Sequence, residues 1–302
     1  MAAARWTIAV LGPGGVGGLV GGLLARDGHR VTCLAGSDTV AALREGGLSV
    51  RSGEYGEFAV PVGADTELRT PVDALLITVK ATALQPALDR VPPDAIGAGL
   101  VLPLLNGIEH LEVLRDRYPA EQVVAGAIRV ESTRVAPGRI EHTTPFAMVD
   151  LASRTTPQSR VDELATRLHE AGLQVTVRDD ETTMLWDKLT FLATLALLTT
   201  RYEATAGEIR TNRRNLLLLE VVDEVVAVAQ ATGADVGTEA VLGLFDQVPA
   251  DMKSSMQRDA EAGRPLELDA IGGAVLHAAA QNGVAVPVTA RLVTDLEARQ
   301  DG

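Results

Sequence analysis

The chain has 302 residues and a formal net charge of −13, with 46% hydrophobic and only 3% aromatic side chains. That length holds one large domain or two ordinary ones, cored mainly by Ala, Val and Leu. Its acidity excludes a global attraction to nucleic acid or an anionic membrane, and the single cysteine, Cys33, excludes an intramolecular disulfide and a cysteine-rich metal site.

Residues 6–11 are a short apolar run rich in Ile and Val, the pattern of a buried parallel strand. Helical spacing follows over 16–27, then a second strand over 29–34 and a helix over 39–45 that stops at Gly46-Gly47. Further strands are predicted at 74–79, 99–105 and 123–128, with a helix over 85–90. This alternation predicts an α/β fold with a Rossmann-type, parallel, doubly wound sheet. Pro137-Gly138 marks a turn, 140–151 adds late strands, 159–171 is a helix closed by Gly172, and 175–177 is a last short strand. Beyond Asp179-Asp180 the strand signal fades. Helices are predicted near 182–200, 213–232, 251–262 and 266–282, with one more after Pro287. The expected organisation is a dinucleotide-binding Rossmann domain over 1–178 and an all-helical C-terminal domain over 179–302, packed around a cleft. The first residues lack the pattern of a secretory signal, and no run approaches about 18 uninterrupted apolar residues. A cytoplasmic protein is therefore expected, and the C-terminal helices suit either a homodimer interface or the domain's own core.

Gly12-Pro13-Gly14-Gly15-Val16-Gly17 fits the G-x-G-x-x-G pattern. Alone that pattern is weak; here it follows a strand and opens a helix, the context that dinucleotide binding needs. The first glycine makes the tight turn, the second lets the backbone approach a pyrophosphate, and the third lets helix and strand pack. The strand end that discriminates between NAD and NADP reads Cys33-Leu34-Ala35-Gly36-Ser37-Asp38. It carries neither an acid for a ribose hydroxyl nor an arginine for a 2′-phosphate. Ser37 suits a phosphate, Asp38 either caps the next helix or contacts the ribose, and Arg44 lies on that helix.

Lys188 stands in Leu185-Trp186-Asp187-Lys188-Leu189-Thr190-Phe191, on an otherwise apolar helix. An ammonium taken out of water needs a partner and yields its proton more readily, which suits a general acid; the plainer alternative is a lysine snorkelling from a core helix. Ser254-Ser255 before Met256-Gln257-Arg258-Asp259 reads as a helix cap, and Glu267 and Asp269 as carboxylates favouring a helix start. Leu105-Asn106-Gly107 ends a predicted strand, at the edge where open α/β sheets bind ligands, although Asn-Gly is also a common turn.

Taken in order, these segments resemble the ketopantoate reductase (2-dehydropantoate 2-reductase) family. The resemblance runs through the glycine loop, Thr78-Val79-Lys80, Asn106-Gly107, Pro137-Gly138 with His142, Trp186-Asp187-Lys188, Gly207-Glu208, Asp223-Glu224-Val225, the Ser254–Asp259 stretch, Glu267-Leu268-Asp269, and Gly283 with Pro287. It implies a Rossmann domain, a helical domain and a small-molecule substrate between them. It implies NADPH-dependent reduction of a 2-oxo acid, with NADH as the alternative cofactor. Gly12, Gly14, Gly15, Val16, Gly17 and Ser37 would hold the cofactor. Lys188 would be the general acid, Glu267 would orient the lysine and bond the substrate, and Asn106 would hold lysine, substrate or nicotinamide. Ser255 would meet the substrate carboxylate, and Lys80 would lie near cofactor or substrate; no metal is implied. Three departures stand out, the first being Leu105 in place of the usual glutamine before Asn106. Leu192 and Ala196, one and two turns past the lysine, replace the family's usual asparagines, and the arginine near Gly36 is absent. The resemblance implies reduction of 2-dehydropantoate to pantoate; the more apolar substrate wall makes a different, less polar carbonyl or imine the alternative, and a non-catalytic dinucleotide sensor is the alternative from another class.

Overall fold

The apolar run near the start of the chain forms β1 (Thr7–Leu11), buried on both faces as a central parallel strand must be. The computed structural model describes residues 5–211 and 214–300. By internal contacts the chain divides after Glu181, except that Asn106–Glu109 belong with the second unit.

In the first unit, β1 pairs in parallel with β2 (Arg30–Leu34) and later with β6 (Ala74–Ile77). With β5 (Gly63–Asp65) beside β2 and β7 (Leu100–Pro103) beside β6, the sheet order is β5-β2-β1-β6-β7, parallel throughout. Helices α1 (Gly15–Arg26), α2 (Ser37–Gly46), α3 (Leu84–Leu88), α4 (Pro93–Ile96) and α5 (His110–Arg117) follow or connect these strands. This is the expected Rossmann-type arrangement.

Two further sheets accompany the expected parallel one. A hairpin of β3 (Leu48–Ser52) and β4 (Gly56–Val60) joins β9 (Ser132–Ala136) and β10 (Arg139–His142) in a mixed sheet, β4-β3-β10-β9. A third sheet, β12-β11-β8, is built from β8 (Ala125–Arg129), β11 (Met148–Ala152) and β12 (Gln174–Val177), with α6 (Gln158–Glu170) before its last strand. Strands β3, β4 and β9 escaped the sequence reading because such strands are half exposed: in β3, Leu48, Val50 and Ser52 are buried while Ser49 and Arg51 face solvent, and such short alternation gives a weak signal. The presence of the mixed sheet explains the composition of α1. A Cβ on Gly21 would press on Val10 of β1 at 3.2 Å, one on Gly22 would meet Val50 of β3 at 3.1 Å, and one on Gly18 would overlap Ile140 of β10. Helix α1 is therefore packed on two sheets, and its glycines let both approach.

The second unit is helical: α7 (Glu181–Tyr202, its first residue counted with the first unit), α8 (Ala206–Arg210), α9 (Arg214–Ala231), α10 (Thr238–Gln247), α11 (Ser255–Glu261), α12 (Ala274–Asn282) and α13 (Pro287–Gln300). Its core gathers Trp186, Leu189, Ala196, Val221, Val225, Phe245, Ile271 and Leu292, with Ile108 packed against it. Helices α8 and α10 were not foreseen; α10 is short, carries Gly243 in its interior, and buries only Val241 and Phe245. The expected helix start at 213 lies outside the described residues. The stretch expected to be helical over 266–282 is interrupted at Asp269–Gly273 by a π-turn, in which Ala274 N–H donates to Asp269 O. No helix among the described residues is long and apolar enough to cross a membrane.

Candidate active site

The glycine loop leaves the C-terminal end of β1 and enters α1. Gly12 has φ +85°, a conformation that favours glycine, and a Cβ there would overlap Val79. Gly12 N–H donates to Leu34 O at 3.1 Å, and Thr78 Oγ1 donates to Gly12 O at 2.8 Å, so the strands on both sides hold the turn. A Cβ on Gly17 would overlap Thr78 Oγ1, and one on Gly15 would overlap Ser132 O of β9, whose hydroxyl donates to Gly15 O at 2.9 Å. Gly14 differs. Its φ of −79° suits any residue, and a Cβ would find only Gly12 O, at 3.9 Å. Neither packing nor backbone requires a glycine there. The space a side chain would fill lies at the N-terminal turn of α1, where backbone N–H groups without intrahelical partners suit an anion. The loop therefore fits a dinucleotide pyrophosphate.

At the end of β2, Ser37 and Asp38 are exposed in the first turn of α2. Arg44 turns its Nε to Ala64 O at 3.0 Å. The guanidinium that reaches the strand end is one the sequence reading missed: Arg90 donates through Nη1 to Ala35 O at 3.1 Å and to Thr66 O at 3.0 Å. It lies 55 residues along the chain from Ala35, so no local pattern announces it. Lys80 is exposed and precedes a turn of 3₁₀ helix at Ala81–Ala83, beyond β6.

The residues expected to carry acid chemistry come together in the second unit. Lys188, half-buried on α7, donates through Nζ to Asn106 Oδ1 at 3.1 Å, and Asn106 Nδ2 donates to Glu267 Oε2 at 3.1 Å. Glu267 is buried, two residues before the π-turn. The asparagine amide is thereby oriented: its acceptor faces the ammonium and its donor the carboxylate, a charge-assisted arrangement. The chain reads 27 Lys and Arg together but only three lysines, Lys80, Lys188 and Lys253.

Other expected site residues are placed differently. Ser254 is the N-cap of α11, its Oγ accepting from Gln257 N at 3.0 Å and from Thr199 Oγ1 at 2.8 Å, while Ser255 is exposed in the first turn. Leu192 is partly buried, but Ala196 has no exposed surface and sits inside the helical core, so its expected place on a substrate wall requires neighbours to shift. Several residues of the resemblance are architectural. His142 bonds the Ser52 hydroxyl through Nδ1 at 2.8 Å and ties β10 to β3. Glu208 completes a capping box with Thr205. Glu224 accepts from Val288 N, Thr289 N and Thr289 Oγ1 at 2.7–2.9 Å. Among the described residues, no group of three or more His, Cys, Asp or Glu side chains is placed to hold a metal.

Two family models match the chain: ketopantoate reductase PanE/ApbA over residues 8–151 and the ketopantoate reductase PanE/ApbA C-terminal model over residues 180–300. The chain belongs to the ketopantoate reductase family. It is an NAD(P)H-dependent oxidoreductase, as its relatives and their structures support. A 2-dehydropantoate 2-reductase of Mycobacterium tuberculosis is 32% identical, over 98% of each chain. A solved 2-dehydropantoate 2-reductase from Geobacter metallireducens is 28% identical with a TM-score of 0.87, covering 97% of this chain and 99% of that one. The same fold occurs in D-mandelate dehydrogenase, solved with NADH and anilino(oxo)acetate, at 24% identity and a TM-score of 0.89 over 98% of each chain.

Proposed function

We propose that this family member reduces a 2-oxo acid to the corresponding 2-hydroxy acid with NADPH, and that 2-dehydropantoate is its substrate. The observation that carries the reading is the Lys188–Asn106–Glu267 chain, an ammonium held by an oriented amide. When bound, a reduced nicotinamide would supply a hydride to the carbonyl carbon. Negative charge then develops on the carbonyl oxygen, and Lys188 stabilises it and delivers a proton from Nζ. Asn106 Oδ1 keeps the ammonium in place; Glu267 keeps the amide from turning over and accepts from a substrate hydroxyl. Ser255 meets the substrate carboxylate, and Lys80 lies toward cofactor or substrate.

The phosphorylated cofactor is supported by Arg90, whose guanidinium reaches the residue that follows β2, where an arginine accommodates a 2′-phosphate. Arg90→Met is expected to weaken NADPH binding by about 10-fold or more while changing NADH binding little; equal loss of both, in fluorescence titrations, would place Arg90 in the scaffold alone.

The decisive assay follows loss of reduced nicotinamide absorbance with 2-dehydropantoate, for the native protein and for Lys188→Ala. Saturable turnover that falls about 10²–10⁴-fold in the variant is expected. Cofactor binding without turnover would remove 2-dehydropantoate as substrate. One observation favours a second reading: the apolar Leu192, partly buried one turn past Lys188, leaves fewer partners for a polar substrate. An aryl or alkyl 2-oxo acid of the kind represented by anilino(oxo)acetate in the D-mandelate dehydrogenase structure belongs in the same assay panel.

A further inference from the structure

Asn106 follows the first unit's β7 in the chain, yet the segment Asn106–Glu109 belongs by its contacts with the second unit. Gly107 has φ +83°, and a Cβ there would overlap Ala270 O and lie 3.1 Å from Ala270 C. Backbone is thus pressed on backbone, and neither partner has a flexible end that yields. Ala270 lies within the π-turn Asp269–Gly273, three residues past Glu267. That turn departs from the α-helical ladder: Ile271 N–H still donates to Glu267 O at 3.1 Å, whereas Ala274 N–H reaches back five residues to Asp269. Such single wide turns are rare and often mark functional sites. Two glycines end it: a Cβ on Gly273 would lie 2.6 Å from Asp269 Oδ1, and one on Gly272 2.7 Å from Val293 Cγ2. On the far side of Gly107, Ile108 packs on the helical core and Glu109 Oε1 meets His277 Nδ1 at 2.9 Å, on the helix that the π-turn opens.

We propose that Gly107 is a positioning residue for the Lys188–Asn106–Glu267 chain, acting through its backbone contact with the π-turn, and that Glu109–His277 closes the same clasp. The proposal rests on the reading of Lys188 as proton donor. Its physical basis is leverage. One peptide bond separates Gly107 from Asn106, and three separate Ala270 from Glu267. A single contact therefore sets the distance between two side chains that bond at 3.1 Å. A small displacement releases the amide, and a turned amide would present N–H groups to the ammonium. Misplacement of a catalytic group by about 1 Å costs on the order of 10²-fold.

The test uses the complete protein. Gly107→Ala is expected to lower kcat at least about 10-fold with cofactor affinity unchanged. Should that variant fail to fold, the exposed His277 gives a second route: His277→Leu lowers kcat several-fold, and His277→Gln, which keeps a polar partner for Glu109, restores it. The discriminating measurement is a cycle with Asn106→Ala. Once the amide is gone, neither change lowers kcat further, because sites that act through one group are not additive. A loss of the same size on the Asn106→Ala background would mean that the clasp only supports the fold, and would overturn the proposal. If the native protein reduces no 2-oxo acid, the catalytic reading fails separately. The clasp is then read from the ¹³Cε resonance of Lys188, assigned among three lysines with Lys188→Arg. Movement of that resonance in His277→Leu supports the positioning role, and an unmoved resonance in a folded variant overturns it.

Discussion

Gly12, Gly14, Gly15 and Gly17 stand within six residues, yet they answer to different demands. Gly12, Gly15 and Gly17 have protein atoms where a Cβ would go; only Gly14 is left without a reason inside the protein. This separates binding from folding. Gly14→Ala is expected to weaken dinucleotide binding at least about 10-fold in a fluorescence titration, with the urea midpoint unchanged. Gly17→Ala is expected to cost about 1–3 kcal/mol in the same urea experiment, because the inserted methyl strains a packed helix–strand contact. The motif was legible in the sequence, but which glycine serves the ligand was not. Gly15, read there as a cofactor contact, has its own cause in Ser132, more than a hundred residues away. The same holds for Arg90: a guanidinium near the end of β2 was looked for locally, at Gly36 and Arg44, and the chain brings one from beyond α3.

At the scale of elements, the long apolar periods were the most readable. Helices α1, α6, α7, α9 and α13 were expected close to where they lie, because each carries a continuous buried stripe or full burial. Short and half-exposed elements were not, as β3, β4, β9 and α10 show. The start of α13 illustrates how side chains from elsewhere complete an element. Pro287 at its first position needs no hydrogen-bond partner, and the next two N–H groups are taken by the Glu224 carboxylate of α9. The Thr289 hydroxyl, fully buried, bonds the same carboxylate. Glu224→Ala strands these donors and is expected to cost about 1–3 kcal/mol of stability, with Glu224→Gln losing less, as measured by urea unfolding.

For the molecule as a whole, stability is expected to fall on mild acidification through His29. This ring is buried where β1, α1 and β2 meet, and its Nδ1 accepts from Trp6 N at 3.0 Å. Burial holds its pKa below the ordinary 6.5, with Asp27 opposing the shift. The native state then binds fewer protons than the unfolded chain. The contribution is full above pH 6.5 and is lost as pH falls from there through the lowered native value. His29→Asn is expected to be less stable at neutral pH but to lack this increment of acid sensitivity. Thermal midpoints between pH 8 and 5 check it, and parallel curves for the two proteins would exclude His29 as the cause.

The sequence by itself determined that a parallel strand–glycine loop–helix unit opens the chain, that a helical region follows, and that a lysine stands on an apolar helix. These are local matters: periodicity, glycine spacing and the cost of burying charge act within a few residues. It also carried the ordered set of segments by which family membership was read. Only the tertiary structure decided that Asn106–Glu109 joins the helices rather than the sheet from which it emerges, that Ala196 is enclosed by core while Lys188 finds an amide, and that the helix near 268 opens into a π-turn against Gly107. Asn106 and Glu267 are 161 residues apart in the chain. No local pattern relates residues so distant; their meeting follows from the packing of whole elements, in which a single carbonyl too close for a methyl group dictates which residue can stand opposite.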